Sequence, residues 1–359
     1  MTDYGQILQQ QVRAAHADRQ PLCIQGGGSK KFYGHPVTGT LLDTSTYSGI
    51  ISYEPTELVL TARAGTPLME IENVLAEHGQ MLGCQAPHFG PNATFGGMIA
   101  AGLSGPRRPY AGSVSDLILG CRILNGKGEI LKFGGKVMKN VAGYDISRLL
   151  TGSLGCLAVI LEATIKLLPR PGVERSYRFT ITPDRATAFV NKLTAMGFPV
   201  SATCHDRQHL VVRFSAGAGE IGSLAERLRQ QFDYIEHAEE TDADYWLTVR
   251  EQQHEFFRNT RALWRLSLAP AVKHNLPGVE FVEWNGALRW LKTDTAPATV
   301  FDRLARLNGA ASLFRSEAAV SAEPRFQPLA PPLKHWHRQL KQAFDPAGIL
   351  NTGRMYQDL

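Results

Sequence analysis

The chain has 359 residues, of which 43% are hydrophobic and 20% charged, and its formal net charge is +5. This length suits two domains better than one core, and the composition is typical of a globular protein rather than a disordered one. No apolar run approaches the ~20 residues that a membrane-spanning helix needs. The mild positive charge is dispersed, so nucleic-acid binding is not expected either.

The residue types also limit which metals and compartments are expected. The five cysteines are scattered and form no CxxC pair; they are Cys23, Cys84, Cys121, Cys156 and Cys204. Because zinc sites and iron–sulfur clusters need closely spaced ligands, no metal site is expected and any electron chemistry must use another cofactor. The N-terminus lacks the basic and apolar regions of a signal peptide, which favours a cytoplasmic location.

The first predicted elements form a small α/β unit. An amphipathic helix opens the chain, with an apolar side that includes Ile7, Leu8 and Val12. Short apolar runs then predict strands at 21–25, 40–45, 51–53 and 57–65. Thr66 and Pro67 are typical of a helix start and Gly79 of a helix end, so a helix is predicted over 68–79.

The next elements lead to the clearest domain boundary. Alternation predicts strands at 116–125 and 129–135, a helix at 146–151 and a long apolar strand pair at 156–169. Pro169, Pro171 and Gly172 then interrupt the pattern. We therefore predict one domain over 1–170, a second over 171–327, and a C-terminal segment over 328–359.

The second predicted domain alternates strands and helices, as at strand 209–214 and helix 223–232. Its residues 217–222 satisfy the G-x-G-x-x-G spacing between a strand and a helix. The mid-chain position and the poor βαβ continuation favour an ordinary strand-to-helix turn over a nicotinamide site. Beyond it, the proline-rich stretch 328–333 is typical of a rigid linker, and a helix is predicted over 334–344.

Two glycine-rich segments form the main candidate site. Residues 26–30 (GGGSK) supply five consecutive amides and one hydroxyl, which suit a dinucleotide pyrophosphate because glycine allows unusual φ values and close backbone approach. By itself this run is more typical of a tight turn. The second segment, 94–105, has four glycines among buried-type residues, and Ala100, Ala101 and Gly102 leave room for a flat ring. The two segments together indicate a dinucleotide site.

One further cluster lies at 282–290. Trp284 and Trp290 flank Arg289, a combination that suits a carboxylate or a partner surface. A strand edge with aromatic packing fits the same residues equally well. Neither interpretation supplies a catalytic base, and no catalytic residue is assigned.

Residues 20–170 resemble the FAD-binding domain of the vanillyl-alcohol oxidase and p-cresol methylhydroxylase superfamily. The matching motifs occur in the family's order, as GGGSK, LDTS, VLTARAGTPLMEI, ATFGGMIAAGLSGPRRPYAGSVSDLILG and AGYDISRLLTGSLGCLAVILEATIKLLPRP. The C-terminal FDPAGILNTGRMY is similar to the segment with which this family returns to its FAD. The resemblance implies an α+β fold, with a two-subdomain FAD-binding domain of the p-cresol methylhydroxylase type and a smaller α/β cap-like domain.

The resemblance also implies which residues contact FAD. It places at the pyrophosphate Gly26, Gly27, Gly28, Ser29 and Lys30. It continues the site toward the flavin with Thr94, Gly96, Gly97, Ala100, Ala101 and Gly102, and it adds Pro87 as a further cofactor-binding residue. It places near the ribityl chain or ribose Gly112, Ser113 and Asp116. It implies that Leu157, Ala158, Val159 and Ile160 line the adenine side. It also implies that Asn351 approaches the flavin ring.

The chain departs from two patterns of the superfamily. Ser29 stands where some members attach FAD covalently through a histidine, and Cys84 lies near the place where others use a cysteine. A buried cysteine is the better interpretation of Cys84, so non-covalent FAD is expected. The histidine-rich metal motif of relatives that oxidise D-2-hydroxy acids is missing, which favours an accessory flavin subunit over a self-sufficient enzyme.

Within the superfamily, the chain resembles the family of glycolate oxidase flavin subunits. This implies an FAD-dependent redox subunit in the oxidation of glycolate, a small 2-hydroxy acid. The implied partners are a second flavoprotein subunit and an iron–sulfur subunit, which alone provide contact with a membrane. Two alternatives stay open, since fold does not decide function. They are a stand-alone FAD oxidase of another small hydroxy acid or alcohol, and a structural subunit whose FAD only stabilises the assembly.

Overall fold

The computed structural model describes residues 4–135, 145–232, 239–241, 244–316 and 324–359. Residues 142–144, which begin one of the family-like motifs, lie outside the described residues. The chain forms two units. The first contains Met1–Ser104, Gly112–Pro169 and Pro324–Leu359, and the second contains Gly105–Ala111 and Arg170–Glu323.

The first unit is built on a five-stranded antiparallel sheet. Its strands lie in the order Ile50–Glu54, Val59–Arg63, Val159–Lys166, Ile118–Leu124 and Ile130–Gly134. The central strand is apolar and mostly buried. The strand pair predicted over 156–169 is confirmed as two strands, but they lie in different sheets and do not pair with each other. One strand runs to Lys166, and the two-residue strand Leu168–Pro169 then pairs with Gln80–Met81.

The first unit also contains a two-stranded parallel sheet, Leu22–Gln25 with Thr40–Asp43. This sheet contacts both the N-terminal helix and the C-terminal segment of the chain. The Leu22 amide donates to the Ile349 carbonyl at 2.7 Å, and the Asn351 amide donates to the Leu22 carbonyl at 3.2 Å. Leu8 and Val12 of the N-terminal helix are buried in the same core. Ile7, predicted on their side, is 37% exposed, because it lies about 100° around the helix from Leu8.

The helices of the first unit are Tyr4–Asp18, Leu68–Glu77, Phe95–Ala101, Val114–Leu117, Ile146–Leu150 and Pro331–Phe344, with a 3₁₀ turn at Pro55–Glu57. The helix predicted over 68–79 is confirmed apart from its last two residues, and Gly79 has a φ of 63°. The predicted linker 328–333 is wrong in its second half, because a helix begins at Pro331. Proline fits a first helical turn, where its missing amide would have no intrahelical partner.

The second unit contains an eight-stranded antiparallel sheet. Its order is Glu239–Glu240, Val173–Thr180, His209–Ala216, Val200–His205, Val279–Glu283, Leu288–Lys292, Ala262–Ser267 and Ala310–Ser316. Its helices are Arg108–Ala111, Pro183–Ala195, Ala218–Gly222, Leu224–Gln231, Tyr245–Arg250 and Pro297–Arg306, with 3₁₀ turns at Glu255–Phe257 and Trp284–Gly286. The helices and sheets of the two units confirm the α+β class. Across the described part of the chain, no helix is long and apolar enough to cross a membrane.

Candidate cofactor site

A cavity of about 340 Å³ lies in the first unit, where both glycine-rich segments meet the C-terminal part of the chain. Its volume is within the range of small-molecule sites. The first glycine segment and the strand before it line the cavity over residues 23–31. The other lining residues are His35, Pro36, Val37, Thr44, Ala64, Thr94, Gly96, Gly97, Ala100, Ala101, Leu154, Gly155, Ala158, Ile160, Asn351 and Arg354.

Most of the residues predicted to contact FAD line this cavity, and the others lie elsewhere. Those outside the lining are Pro87, Gly102, Gly112, Ser113, Asp116, Leu157 and Val159. Ser113 and Asp116 form the capping box of the Val114–Leu117 helix, and Val159 is fully buried. Gly102 ends the Phe95–Ala101 helix in the left-handed region. Contact between FAD and these residues stays a prediction.

The first glycine segment presents backbone donors that the protein does not use. Among the described residues, the amides of 26–29 donate no hydrogen bond. A run of amides without intramolecular partners at a cavity suits an anionic ligand. The second segment differs, because the Gly96 amide donates to the Ala64 carbonyl at 2.8 Å. The Gly97 amide donates to Thr94 Oγ1 at 3.3 Å.

Close packing explains why glycine occupies two of these positions. A Cβ atom on Gly27 would lie 1.4 Å from the Asn92 carbonyl oxygen, which no side chain tolerates. A Cβ atom on Gly96 would lie 2.6 Å from Ala64 Cβ. Both glycines therefore allow a close approach to other parts of the protein, in addition to any approach to a ligand.

The glycines of 217–222 show no comparable constraint. The motif leads from the His209–Ala216 strand into the Ala218–Gly222 helix. A Cβ atom added at Gly217, Gly219 or Gly222 would meet nothing within 4 Å. This geometry agrees with an ordinary strand-to-helix turn.

The lining of the cavity is cationic. It contains Lys30, Lys31 and Arg354, and it includes no aspartate or glutamate from the described residues. Lys30 Nζ donates to the His88 carbonyl at 3.2 Å. Arg354 Nη2 donates to the carbonyl oxygens of Lys30 and Tyr33 at 3.3 and 3.4 Å. No carboxylate in the described part of the chain pairs with Arg354, so its charge is available to an anion.

Two buried polar atoms of the lining, Arg354 Nε and His35 Nδ1, have no hydrogen-bond partner among the described residues. His35 Nε2 accepts a hydrogen bond from the Arg325 amide at 3.3 Å, which assigns the ring proton to Nδ1. Burial, together with the charge of Arg325, lowers the pKa of His35, so the ring is neutral at pH 7. Both atoms are therefore unsatisfied donors of residues that line the cavity, which fits an anionic group that accepts hydrogen bonds.

Asn351 joins three chain segments at the cavity. Its Oδ1 accepts from the Ile24 amide at 2.8 Å, and its Nδ2 donates to the Leu154 carbonyl at 2.8 Å. Its φ of 39° is in the left-handed region, which asparagine tolerates better than most residues. The side chain thereby holds the C-terminal part of the chain at the cavity, while its approach to a flavin ring stays a prediction.

Sequence reasoning misses several polar residues of the lining, namely Gln25, His35, Thr44 and Arg354. The available signal for Arg354 is its positive charge, three residues after Asn351 in the segment that resembles the family's returning chain. A single histidine in a loop has no pattern that points to a cavity, so no signal marks His35.

The aromatic cluster at 282–290 is packed inside the second unit. Trp284 and Trp290 are 4% and 6% exposed, and Trp290 Nε1 donates to Glu283 Oε1 at 2.7 Å. The Arg289 guanidinium donates to the backbone carbonyls of Pro270, Val272 and Gly286. The prediction of a partner surface formed by the two tryptophans is therefore wrong. The alternative, aromatic packing, is what Trp290 shows.

Known proteins match both the cavity-bearing unit and the whole chain. Residues 6–134 match a family model described as an FAD binding domain. The Escherichia coli glycolate oxidase subunit GlcE is 46% identical over 99% of this chain and 99% of its own length. The Saccharomyces cerevisiae mitochondrial D-lactate dehydrogenase (cytochrome) 1 is 29% identical over 53% of this chain and 33% of its own length. A solved alkyldihydroxyacetonephosphate synthase shares the fold, with a TM-score of 0.65 at 15% identity over 96% of this chain and 73% of that one.

The family model and the relatives show that the chain is an FAD-dependent oxidoreductase, and its FAD-binding domain has the fold of the p-cresol methylhydroxylase type. FAD is its cofactor. The chain belongs to the family of the glycolate oxidase subunit GlcE. The resemblance stated from the sequence motifs is thereby confirmed.

FAD is expected to leave the protein completely on acid precipitation, because neither position at which the superfamily attaches FAD offers an attachment residue at the cavity. Ser29 lines it in place of a histidine, and Cys84 is fully buried outside the lining. Flavin fluorescence measured in the supernatant and the pellet tests this expectation. Fluorescence that stays on the denatured polypeptide would contradict it and would point to Cys23 or His35, both of which line the cavity.

Proposed function

We propose that this chain is the FAD-binding redox subunit of a complex that oxidises glycolate to glyoxylate and passes the electrons to an iron–sulfur partner. The cofactor supplies the hydride-accepting chemistry when it is bound. The supporting observation is a cationic cavity with unpaired donors, in a chain that matches a glycolate oxidase subunit over 99% of its length. The similarity to a D-lactate dehydrogenase favours a small 2-hydroxy acid as the substrate class.

The residues of the first unit are proposed to bind FAD by charge and by backbone hydrogen bonds. The amides of 26–29 and the cations Lys30 and Arg354 bind the pyrophosphate, which carries two negative charges. The neutral His35 donates from Nδ1 to an acceptor of the cofactor. The ribityl or ribose contacts are Gly112, Ser113 and Asp116, and the adenine contacts come from the backbone of residues 157–160. In domain terms, 1–170 with 328–359 form the FAD-binding domain and 171–327 a cap-like domain.

The proposed partners follow from the name of the E. coli relative, which is a subunit of glycolate oxidase. A second flavoprotein and an iron–sulfur protein complete the proposed assembly. The assembly is proposed to be cytoplasmic and to reach the membrane only through those partners. Nucleic acid has no part in the proposal.

Co-expression of the chain with the two proposed partners tests this function. All three proteins are expected to copurify and to reduce a dye when glycolate is added, whereas the isolated chain reduces it at less than a hundredth of that rate. The reason is that the chain lacks the histidine-rich motif of relatives that oxidise D-2-hydroxy acids by themselves, so the proposed oxidation of glycolate needs the second flavoprotein. If the isolated chain oxidises glycolate as fast as the complex, a stand-alone oxidase replaces the proposed subunit.

The third alternative, a structural flavin subunit, requires a separate comparison. The complex is assembled once with the wild-type chain and once with a chain that has lost its FAD through substitution in the glycine segment. The redox role predicts that the flavin-free complex assembles but loses dye reduction. The structural alternative predicts instead that the flavin-free chain fails to assemble with its partners. An assembled flavin-free complex with an unchanged rate would contradict the redox role.

A further inference from the structure

A buried ion pair lies at the end of the Pro331–Phe344 helix. Lys341 Nζ is 2.7 Å from Asp345 Oδ2, and the two side chains are 12% and 0% exposed. Neither residue is part of the lining of the FAD cavity. Any effect of this pair on the cofactor must therefore pass through residues that do line the cavity.

The Lys341 ammonium joins two chain segments that line the FAD cavity. Its Nζ donates to the carbonyl oxygens of Cys156 and Leu350, each at 2.8 Å. Cys156 directly follows the lining residues 154–155, and Leu350 directly precedes the lining residue Asn351. With the ion pair included, all three N–H donors of the ammonium have a partner.

The Asp345 carboxylate holds the second of these segments from its amide side. Its Oδ1 accepts from the Ile349 amide at 3.1 Å, and its Oδ2 accepts from the Leu350 amide at 2.8 Å. Leu350 is thus fixed at its N–H by the carboxylate and at its carbonyl by the ammonium. Because hydrogen bonds to ionised groups are stronger than neutral ones, the pair holds this backbone firmly.

The fixed backbone leads directly into Asn351 and Arg354, the two C-terminal residues of the cavity lining. The Arg354 amide donates to the Asn351 carbonyl at 3.1 Å. The Cys156 thiol donates to the same carbonyl at 3.5 Å. A shift of this backbone would therefore move the Arg354 guanidinium, and a binding group loses its effect when its supporting residues do not hold it in place.

We propose that Lys341 and Asp345 are positioning residues that set the place of Arg354 at the FAD pyrophosphate. The proposal rests on the FAD-binding role proposed for Arg354, and it adds two residues that lie outside the lining. They act on the backbone that carries the guanidinium and make no contact with the cofactor. The affinity for FAD then depends on the ion pair by way of Arg354.

A double-mutant cycle on FAD affinity tests this dependence. FAD is titrated into the flavin-free full chain and its fluorescence is followed. Lys341→Met is expected to weaken FAD about tenfold in the wild-type chain and less than about threefold in Arg354→Met, because coupled residues are not additive. The control Lys334→Met removes an exposed ion pair of the same helix with Asp358, and it leaves the affinity unchanged.

A second variant separates positioning from stability, because a buried charge without its partner destabilises a protein. Lys341→Met/Asp345→Asn removes both charges, so the melting temperature of the flavin-free chain is expected to recover relative to Lys341→Met. Its FAD affinity is expected to stay low, since the hydrogen bonds to the Cys156 and Leu350 carbonyls are still missing. If Lys341→Met does not fold, this double variant takes its place in the cycle.

Three results would overturn the positioning role and leave the proposed FAD site intact. They are wild-type affinity in Lys341→Met, equal weakening by Lys341→Met in both backgrounds, and recovery of affinity together with stability when both charges are removed. Unchanged affinity in Arg354→Met would overturn the positioning role and the role of Arg354 in the FAD site together.

Discussion

A chain with alanine in place of Gly27 is expected to purify with almost no FAD. The added Cβ would lie 1.4 Å from the Asn92 carbonyl oxygen, so the loop or its neighbour must move. Any such movement displaces the unpaired amides of 26–29 that are proposed to bind the pyrophosphate. The flavin-to-protein absorbance ratio of the purified variant measures the effect, and circular dichroism shows whether the chain is folded.

The second glycine motif provides the matched control for Gly27→Ala. Gly219 lies in a helix, and its added Cβ would meet nothing within 4 Å. Gly219→Ala is therefore expected to keep its full FAD content and, since alanine favours helix over glycine, to be at least as stable as the wild-type chain. Full FAD content in Gly27→Ala would contradict the role assigned to the first glycine segment. Loss of FAD in Gly219→Ala would show that the second motif contributes to FAD binding.

The Arg354→Met variant is expected to bind FAD about 10- to 100-fold more weakly. A hydrogen bond to a charged group contributes about 1.5–3 kcal/mol, and each 1.4 kcal/mol corresponds to roughly a tenfold change in Kd. Arg354 has an unpaired buried Nε and no carboxylate partner among the described residues. A fluorescence titration of the flavin-free variant with FAD measures the change.

Arg354 also donates to two backbone carbonyls of the first unit, so a structural effect needs to be separated from lost charge. Arg354→Lys keeps the charge and is expected to recover part of the affinity, while the exposed Arg338→Met on the Pro331–Phe344 helix changes nothing. Wild-type affinity in Arg354→Met would remove this residue from the FAD site. Equal losses in Arg354→Met and Arg354→Lys would assign it a packing role alone.

The sequence predicts local features well where one physical cause dominates. The helix that follows Pro67 is found because apolar periodicity and a terminal glycine agree. The helix Phe95–Ala101 is missed because its two glycines are typical of a loop, whereas Gly96 allows the helix to contact Ala64 closely. The start of the last helix is misplaced because prolines resemble a linker, although a first helical turn accepts them.

The candidate site is predicted only in part, because its completion depends on contacts distant in sequence. Residues 26–30 are visible as a glycine motif, but the unpaired state of their amides is a property of the folded loop. Asn351 reaches the cavity through hydrogen bonds with residues more than 190 positions away. No local pattern contains that pairing, so the position of the C-terminal segment rests on the family resemblance. The unpaired donors of His35 and Arg354 likewise cannot be predicted from any local sequence pattern.

A crystal structure of the chain purified with its flavin tests the central claim most directly. The account predicts one FAD in the first unit, with its pyrophosphate within hydrogen-bond distance of the amides of 26–29 and its negative charge facing Arg354. Density for the dinucleotide at residues 217–222, or a pyrophosphate that contacts neither the glycine segment nor Arg354, would contradict it.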